Sequence, residues 1–252
     1  MSKKTDKKQQ KINIKLRRKT QLSDQTPFSV KEAYKLARTN ILFSLADEGC
    51  KNIAITSAYP SEGKTTTSTN MALSFAQMKK RTLLIDADMR KPQVHNVFSL
   101  DNQIGLSNIL GGFARPEEAI HRLESGLNVI TAGHIPPNPV ELLASDRMER
   151  LLKALGEYYE YIFIDTPPVN VVTDALVLSE EVSGIIVVTK TGQSRHPELE
   201  QALGKLKFAK AKVLGMILTS ATVKTGKYGK YGKYGKYGRY GKYSAYDAYE
   251  QG

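Results

Sequence analysis

A single cysteine, Cys50, is all this chain has, so it forms no internal disulfide and no site built from several thiolates, a composition suited to a reducing compartment. No apolar run approaches the ~18 residues a membrane span needs. The stretch from Lys3 to Lys19 lacks the apolar segment of a secretion signal, so a chain neither exported nor self-anchored is expected. His95, His121, His134 and His196 are scattered without ligand spacing, and no Gly-x-Ser-x-Gly nucleophile motif occurs. Acidic surplus is missing too, with 37 Lys+Arg against 25 Asp+Glu and a formal charge of +12. Residues 1–20 hold nine basic and one acidic side chain and residues 226–252 hold six and two, which leaves 22 of each sign between them. The whole surplus therefore resides in the termini. Two mobile basic arms on a neutral body are expected, not a nucleic-acid-binding domain.

What is present is 252 residues at 40% hydrophobic content, enough for one α/β domain with a real core. Residues 1–26 are polar, basic and aperiodic, and are expected to be a disordered arm before a domain spanning 27–225. Ser29-x-x-Glu32 is a capping-box pattern. Val30, Ala33, Tyr34, Ala37, Ile41 and Leu45 follow at helical spacing and predict one amphipathic helix to about Ala46. Apolar runs at Ile53–Thr56, Thr82–Ile85, Leu127–Thr131, Tyr161–Ile164, Ile185–Thr189 and Val213–Thr219 predict strands separated by crossover lengths. That order predicts a doubly wound, mostly parallel α/β sheet with chemistry beyond its carboxyl ends, after Ile55, Ile85 and Ile164. From Lys227 the chain turns into a period-three Lys-Tyr-Gly repeat. Tyr228, Tyr231, Tyr234, Tyr237, Tyr240, Tyr243, Tyr246 and Tyr249 are evenly spaced, with no aliphatic residues to pack, so residues 226–252 are expected to be a disordered tail.

Behind the first strand, Ala58-Tyr59-Pro60-Ser61-Glu62-Gly63-Lys64-Thr65 matches the P-loop pattern Gly-x-x-x-x-Gly-Lys-[Ser/Thr] apart from Ala58 at its first position. Such a loop presents backbone N–H groups at a helix N-terminus. Gly63 allows close backbone approach, Lys64 reaches the β/γ-phosphates and Thr65 ligates Mg²⁺. Ser61, Glu62, Gly63, Lys64, Thr65 and Thr66 are the expected nucleotide-binding set. The second strand runs out through Asp86-Ala87-Asp88-Met89-Arg90, and the fourth through Asp165-Thr166-Pro167-Pro168. Asp165 is the Walker B candidate for Mg²⁺, and Asp86 or Asp88 can accept a proton from an attacking hydroxyl. Aspartates of this kind also cap helices, but three at strand ends beside a P-loop favour a site.

These motifs resemble those of the bacterial protein-tyrosine kinases of capsule and exopolysaccharide synthesis, P-loop enzymes with a deviant-Walker, MinD-like fold. The resemblance covers roughly residues 29–252. It rests on Ser57–Thr65, the second acidic motif Leu84–Arg90, Ile164–Pro168, Pro136-Pro137-Asn138-Pro139 with Glu141-Leu142-Leu143, and the tyrosine cluster. It implies ATP and Mg²⁺ as cofactors, with Thr65, Asp88 and Asp165 at the metal. Asp86 would be the base, with Asp88 and Lys64 beside it in catalysis, and the eight tail tyrosines would be acceptors phosphorylated by a neighbouring subunit. It also implies a ring-shaped homo-oligomer closed through Glu-x-x-Arg-x-x-Arg, here Glu32, Lys35 and Arg38, where Lys35 departs from the pattern and lacks the planar fork of arginine. Leu218-Thr219 departs as well, where relatives often carry an Asn near the adenine. Further implications are a membrane adaptor of polysaccharide chain-length control that recruits a cytoplasmic kinase to the inner face of the membrane, and a cognate phosphotyrosine phosphatase. Two rivals stand against this. A partitioning or division-site switch ATPase carries a signature lysine where this chain has Tyr59, and a basic protein gripping nucleic acid or polysaccharide would need only the tail.

Overall fold

A computed structural model describes residues 21–46 and 48–221. The basic arm at 1–20, the end of the expected domain at 222–225 and the whole tyrosine tail lie outside the described residues. Seven strands form one sheet in the order β3-β4-β2-β5-β1-β6-β7. They are β1 (Lys51–Ser57), β2 (Thr82–Asp86), β3 (Ile120–Arg122), β4 (Asn128–Ile130), β5 (Tyr161–Asp165), β6 (Gly184–Lys190) and β7 (Val213–Thr219). All pairs are parallel except β3 with β4. The six predicted strands are all present, and the added one is the antiparallel edge β3.

Alternation along each strand divides the core in two. Ile53, Ile55, Leu84 and Phe163 face α1 (Phe28–Ser44) and α2 (Lys64–Ala76), whereas Leu83, Ile85, Ile162 and Ile164 face α7 (Asp146–Gly156). On that second side Ala54, Ile185 and Val187 meet Ala202 and Leu206 of α9 (His196–Phe208). With both faces covered, each central strand reads as a continuous apolar run, as parallel sheets require. Because β5 lies between β2 and β1, Asp165 is in register with both Asp86 and Ile55. The ends of three strands distant in sequence thus arrive side by side.

Two expectations at the amino end are corrected. Leu22 is buried in the core, its amide bonds the Asn70 side chain at 2.9 Å, and Gln21 donates to the Val97 carbonyl, so residues 21–26 belong to the folded unit. The capping box does not form. Pro27 is the N-cap of α1 with no side-chain bond, while the Glu32 carboxylate takes the Lys35 ammonium at 2.7 Å instead. The helix stops at Ser44, two residues short of the expected end, and buries Ile41 with Leu45 just beyond it.

Candidate functional site

The phosphate loop leaves β1 and enters α2 at Gly63, which caps the helix with φ +91°, a left-handed turn that glycine adopts at little cost. Lys64 and Thr65 open the helix, so their side chains stand over the ends of β2 and β5. The Lys64 Nζ lies 3.0 Å from Asp88 Oδ2 and 3.3 Å from Asp165 Oδ2. The Thr65 hydroxyl donates to Asp165 Oδ2 at 2.6 Å, and one turn on, Ser68 Oγ donates to Asp165 Oδ1 at 3.0 Å. Ser68 was not among the expected residues, although helical spacing from Lys64 puts it on the same face.

Burial and charge oppose one another here. Burial pulls the Lys64 ammonium down, but the carboxylates of Asp165, Asp88 and Asp86 outweigh it and hold it above the usual lysine range. Burial raises Asp165 against the pull of Lys64 and Thr65. Asp86 is pushed up to about 8, first by burial and then by the Asp165 charge beside it. Yet Asp86 accepts three backbone amides of its own loop, from Asp88 at 3.2 Å, Gln93 at 3.1 Å and Val94 at 3.0 Å. It has no exposed surface. These bonds tie Asp86 into the loop that leads to α3 (Val94–Phe98), beside Asp165 and Lys64. Asp88 keeps 8% of its side chain exposed and faces Lys64.

Other expected residues divide. Ser61 and Thr66 are exposed at the loop, whereas Glu62 is buried with its carboxylate on the Tyr59 amide and the Ser194 hydroxyl. On α1, Arg38 Nη1 donates to the Ser74 carbonyl of α2 at 2.6 Å and burial lowers its pKa, while the rest of its guanidinium keeps donors for other partners. The eight acceptor tyrosines fall outside the described residues. Sequence reasoning also missed Asp174, fully buried at the start of α8 (Asp174–Val177), where its Oδ1 takes Arg90 Nε at 3.3 Å.

Two surface hollows, about 380 Å³ beside Asp146 and Glu149 and about 500 Å³ beside Cys50 and Arg81, include neither Lys64 nor its aspartates. The donor set around Lys64 suits Mg²⁺: a hydroxyl and two carboxylates converge where a cation, here the Lys64 ammonium, already neutralises them.

A family model described as an AAA domain matches residues 50–212. The tyrosine-protein kinase YwqD of Bacillus subtilis (strain 168) is 42% identical over 188 residues, covering 74% of this chain and 79% of that one. The tyrosine-protein kinase etk of Escherichia coli (strain K12) is 36% identical over 191 residues, 75% of this chain but 26% of that longer protein. Among solved structures, the kinase domain of Escherichia coli tyrosine kinase ETK aligns with a TM-score of 0.74 at 34% identity, over 81% of this chain and 80% of that one. The septum site-determining protein MinD from Pyrococcus horikoshii OT3, complexed with Mg-ADP, aligns with a TM-score of 0.57 at 25% identity over 67% and 70% of the two chains.

Proposed function

This chain belongs to the bacterial tyrosine-protein kinases, and from that premise we propose that it transfers the γ-phosphoryl group of ATP to tyrosines of its own C-terminal cluster in the service of capsular or exopolysaccharide synthesis. One observation carries the reading: Lys64, Thr65, Asp88 and Asp165 converge at the joined ends of β1, β2 and β5. Phosphoryl transfer asks the protein for positioning and charge stabilisation, and this cluster offers both. The loop amides and Lys64 bind the phosphates, and Lys64 leaves its carboxylates to do so. Thr65 and Asp165 would hold Mg²⁺, whose charge stabilises the phosphoryl group in transfer. Asp86 would take the proton from the attacking phenol, and Asp88 would join Thr65 and Asp165 at the metal once Lys64 moves.

A switch ATPase of the MinD kind is the weaker reading, since its support is the 25% identical structure and Tyr59 occupies the signature-lysine position. Assembly into a ring, recruitment to the membrane by a separate adaptor, and reversal by a phosphatase belong to the same proposal. Among the described residues no helix is long and apolar enough to cross a membrane.

The test is incubation with γ-labelled ATP and Mg²⁺, with and without an adaptor's cytoplasmic peptide, followed by phosphotyrosine mapping. Label is expected on Tyr228 through Tyr249 and absent from Lys64→Met. Label retained by that variant would overturn the assignment.

A further inference from the structure

Glu62 is an odd residue to find in a loop that must surround phosphates, since a carboxylate there repels them. Its side chain is 1% exposed and is held from two sides. The Tyr59 amide donates to Oε2 at 2.8 Å, and the Ser194 hydroxyl donates to Oε1. The Lys190 amide donates to the same Ser194 oxygen at 3.1 Å, which leaves the hydroxyl proton for Glu62. None of these partners is shared with Lys64, Thr65 or Asp165. Two more bonds grip the loop from the same side. Gln193 Nε2 donates to the Pro60 carbonyl at 3.1 Å, and Thr219 Oγ1 donates to the Glu62 carbonyl at 2.8 Å.

The loop needs such a grip. Ser61 sits at φ +69°, a left-handed conformation that side chains other than glycine enter at a cost, with Gly63 at φ +91° two residues on. Unbraced, the loop would relax and nucleotide would have to order it again on binding. We propose that Glu62 is a positioning residue: its buried carboxylate, clamped between the Tyr59 amide and Ser194, holds the phosphate loop in its nucleotide-binding shape before nucleotide arrives. The brace comes from the β6–α9 connection and the end of β7, so the last two strands set the affinity of a loop that grows out of β1.

This rests on the reading of the loop as the ATP site, and the experiment keeps the two apart. Affinity for a fluorescent ADP analogue, KM for ATP, kcat for tail phosphorylation and amide exchange at residues 59–63 are compared in wild type, Glu62→Ala, Glu62→Gln and Ser194→Ala. Losing a buried, charge-assisted clamp predicts that Glu62→Ala weakens analogue affinity and raises KM on the order of tenfold, with kcat at saturation changed less than about threefold. Exchange at 59–63 should quicken without nucleotide. Ser194→Ala should shift the same parameters by less. Glu62→Gln should restore most of the loss, because its amide oxygen takes the Tyr59 N–H and its NH₂ donates to Ser194, whose proton turns to the Lys190 carbonyl at 3.4 Å. If Gln is as damaging as Ala, or if kcat falls while KM and analogue affinity hold, the brace is refuted in favour of a charge acting on the reaction. If Glu62→Ala does not fold, Ser194→Ala and Glu62→Gln decide alone. Wild type that binds the analogue without labelling its tail would sink the kinase reading and leave the brace to be judged on affinity.

Discussion

At the scale of single residues the site is a contest between three buried carboxylates and one ammonium. Lys64 settles it in the free protein by bridging Asp88 and Asp165. Lys64→Met should therefore do more than end phosphate transfer. It leaves two carboxylates uncompensated, which lowers stability by about 3 kcal/mol at neutral pH. Added Mg²⁺ should recover part of that loss, raising the melting temperature of the variant more than that of wild type. An equal response in both would show that Lys64 does not stand in for the ion. Asp86 gives a pH dependence of definite sign. Its folded pKa of about 8 lies above the ordinary 3.8, so the contribution is present in full below that ordinary value and disappears as pH rises through about 8. Nucleotide-free protein should lose stability between pH 6 and 8, and Asp86→Asn should flatten the slope. Denaturant midpoints across that range measure it, and an unchanged slope in the variant would assign the effect elsewhere. For catalysis, Asp86→Asn should reduce transfer by ~100-fold or more with Mg²⁺-nucleotide affinity retained, whereas Asp165→Asn should weaken that affinity as well.

At the scale of elements, distant segments are joined by pairs whose partners lie far apart in the chain. Arg90, on the connection from β2 to α3, meets Asp174 at the start of α8, 84 residues later. Asp174 is fully buried and Arg90 keeps 38% of its side chain exposed. Removing the cation leaves an unpaired buried carboxylate, so Arg90→Ala should cost about 1–3 kcal/mol after allowing for Arg90's exposure. Asp174→Asn should cost less, and the double variant should recover part of the Arg90→Ala loss. Simple additivity in urea unfolding would mean the pair is not coupled. The same remoteness explains what could be read beforehand. β1, β2, β5 and β6 were legible because burial on both faces writes a continuous apolar run, β7 because its sequence is apolar even though it lies exposed at the sheet edge, and the P-loop and strand-end aspartates because their spacing is local. β3 was not, since Ile120-His121-Arg122 is three residues long with a single apolar side chain, too short for alternation to show. The capping box misled because Pro27, which needs no amide donor, starts the helix before Ser29 can. Asp174 and Ser194 carry no local signal, since each matters through a residue that only the fold brings near.

At the scale of the whole molecule, charge is arranged to change with turnover. The body between residues 21 and 225 is neutral, and residues 226–252 carry +4. Each phosphotyrosine adds about −1.5 to −2 at neutral pH, so modifying all eight tyrosines takes each tail to roughly −8 to −12. Suppose, as proposed, that a tail is phosphorylated in a neighbouring subunit's site. Unmodified basic tails can then approach sites built on the carboxylates of Asp88 and Asp165, and assembly is favoured at the start. As phosphate accumulates, tails brought within a Debye length of ~8–10 Å repel each other and the acidic sites alike. The assembly should therefore form in the dephosphorylated state and disperse with modification, so that transfer limits its own duration. Light scattering on dephosphorylated and fully phosphorylated protein should show the larger species only in the first at low salt. Salt of about 0.5 M should narrow the difference, because screening removes the repulsion without removing the phosphates. Equal sizes for both forms at low salt, where repulsion is strongest, would refute this timing mechanism and leave phosphoryl transfer untouched.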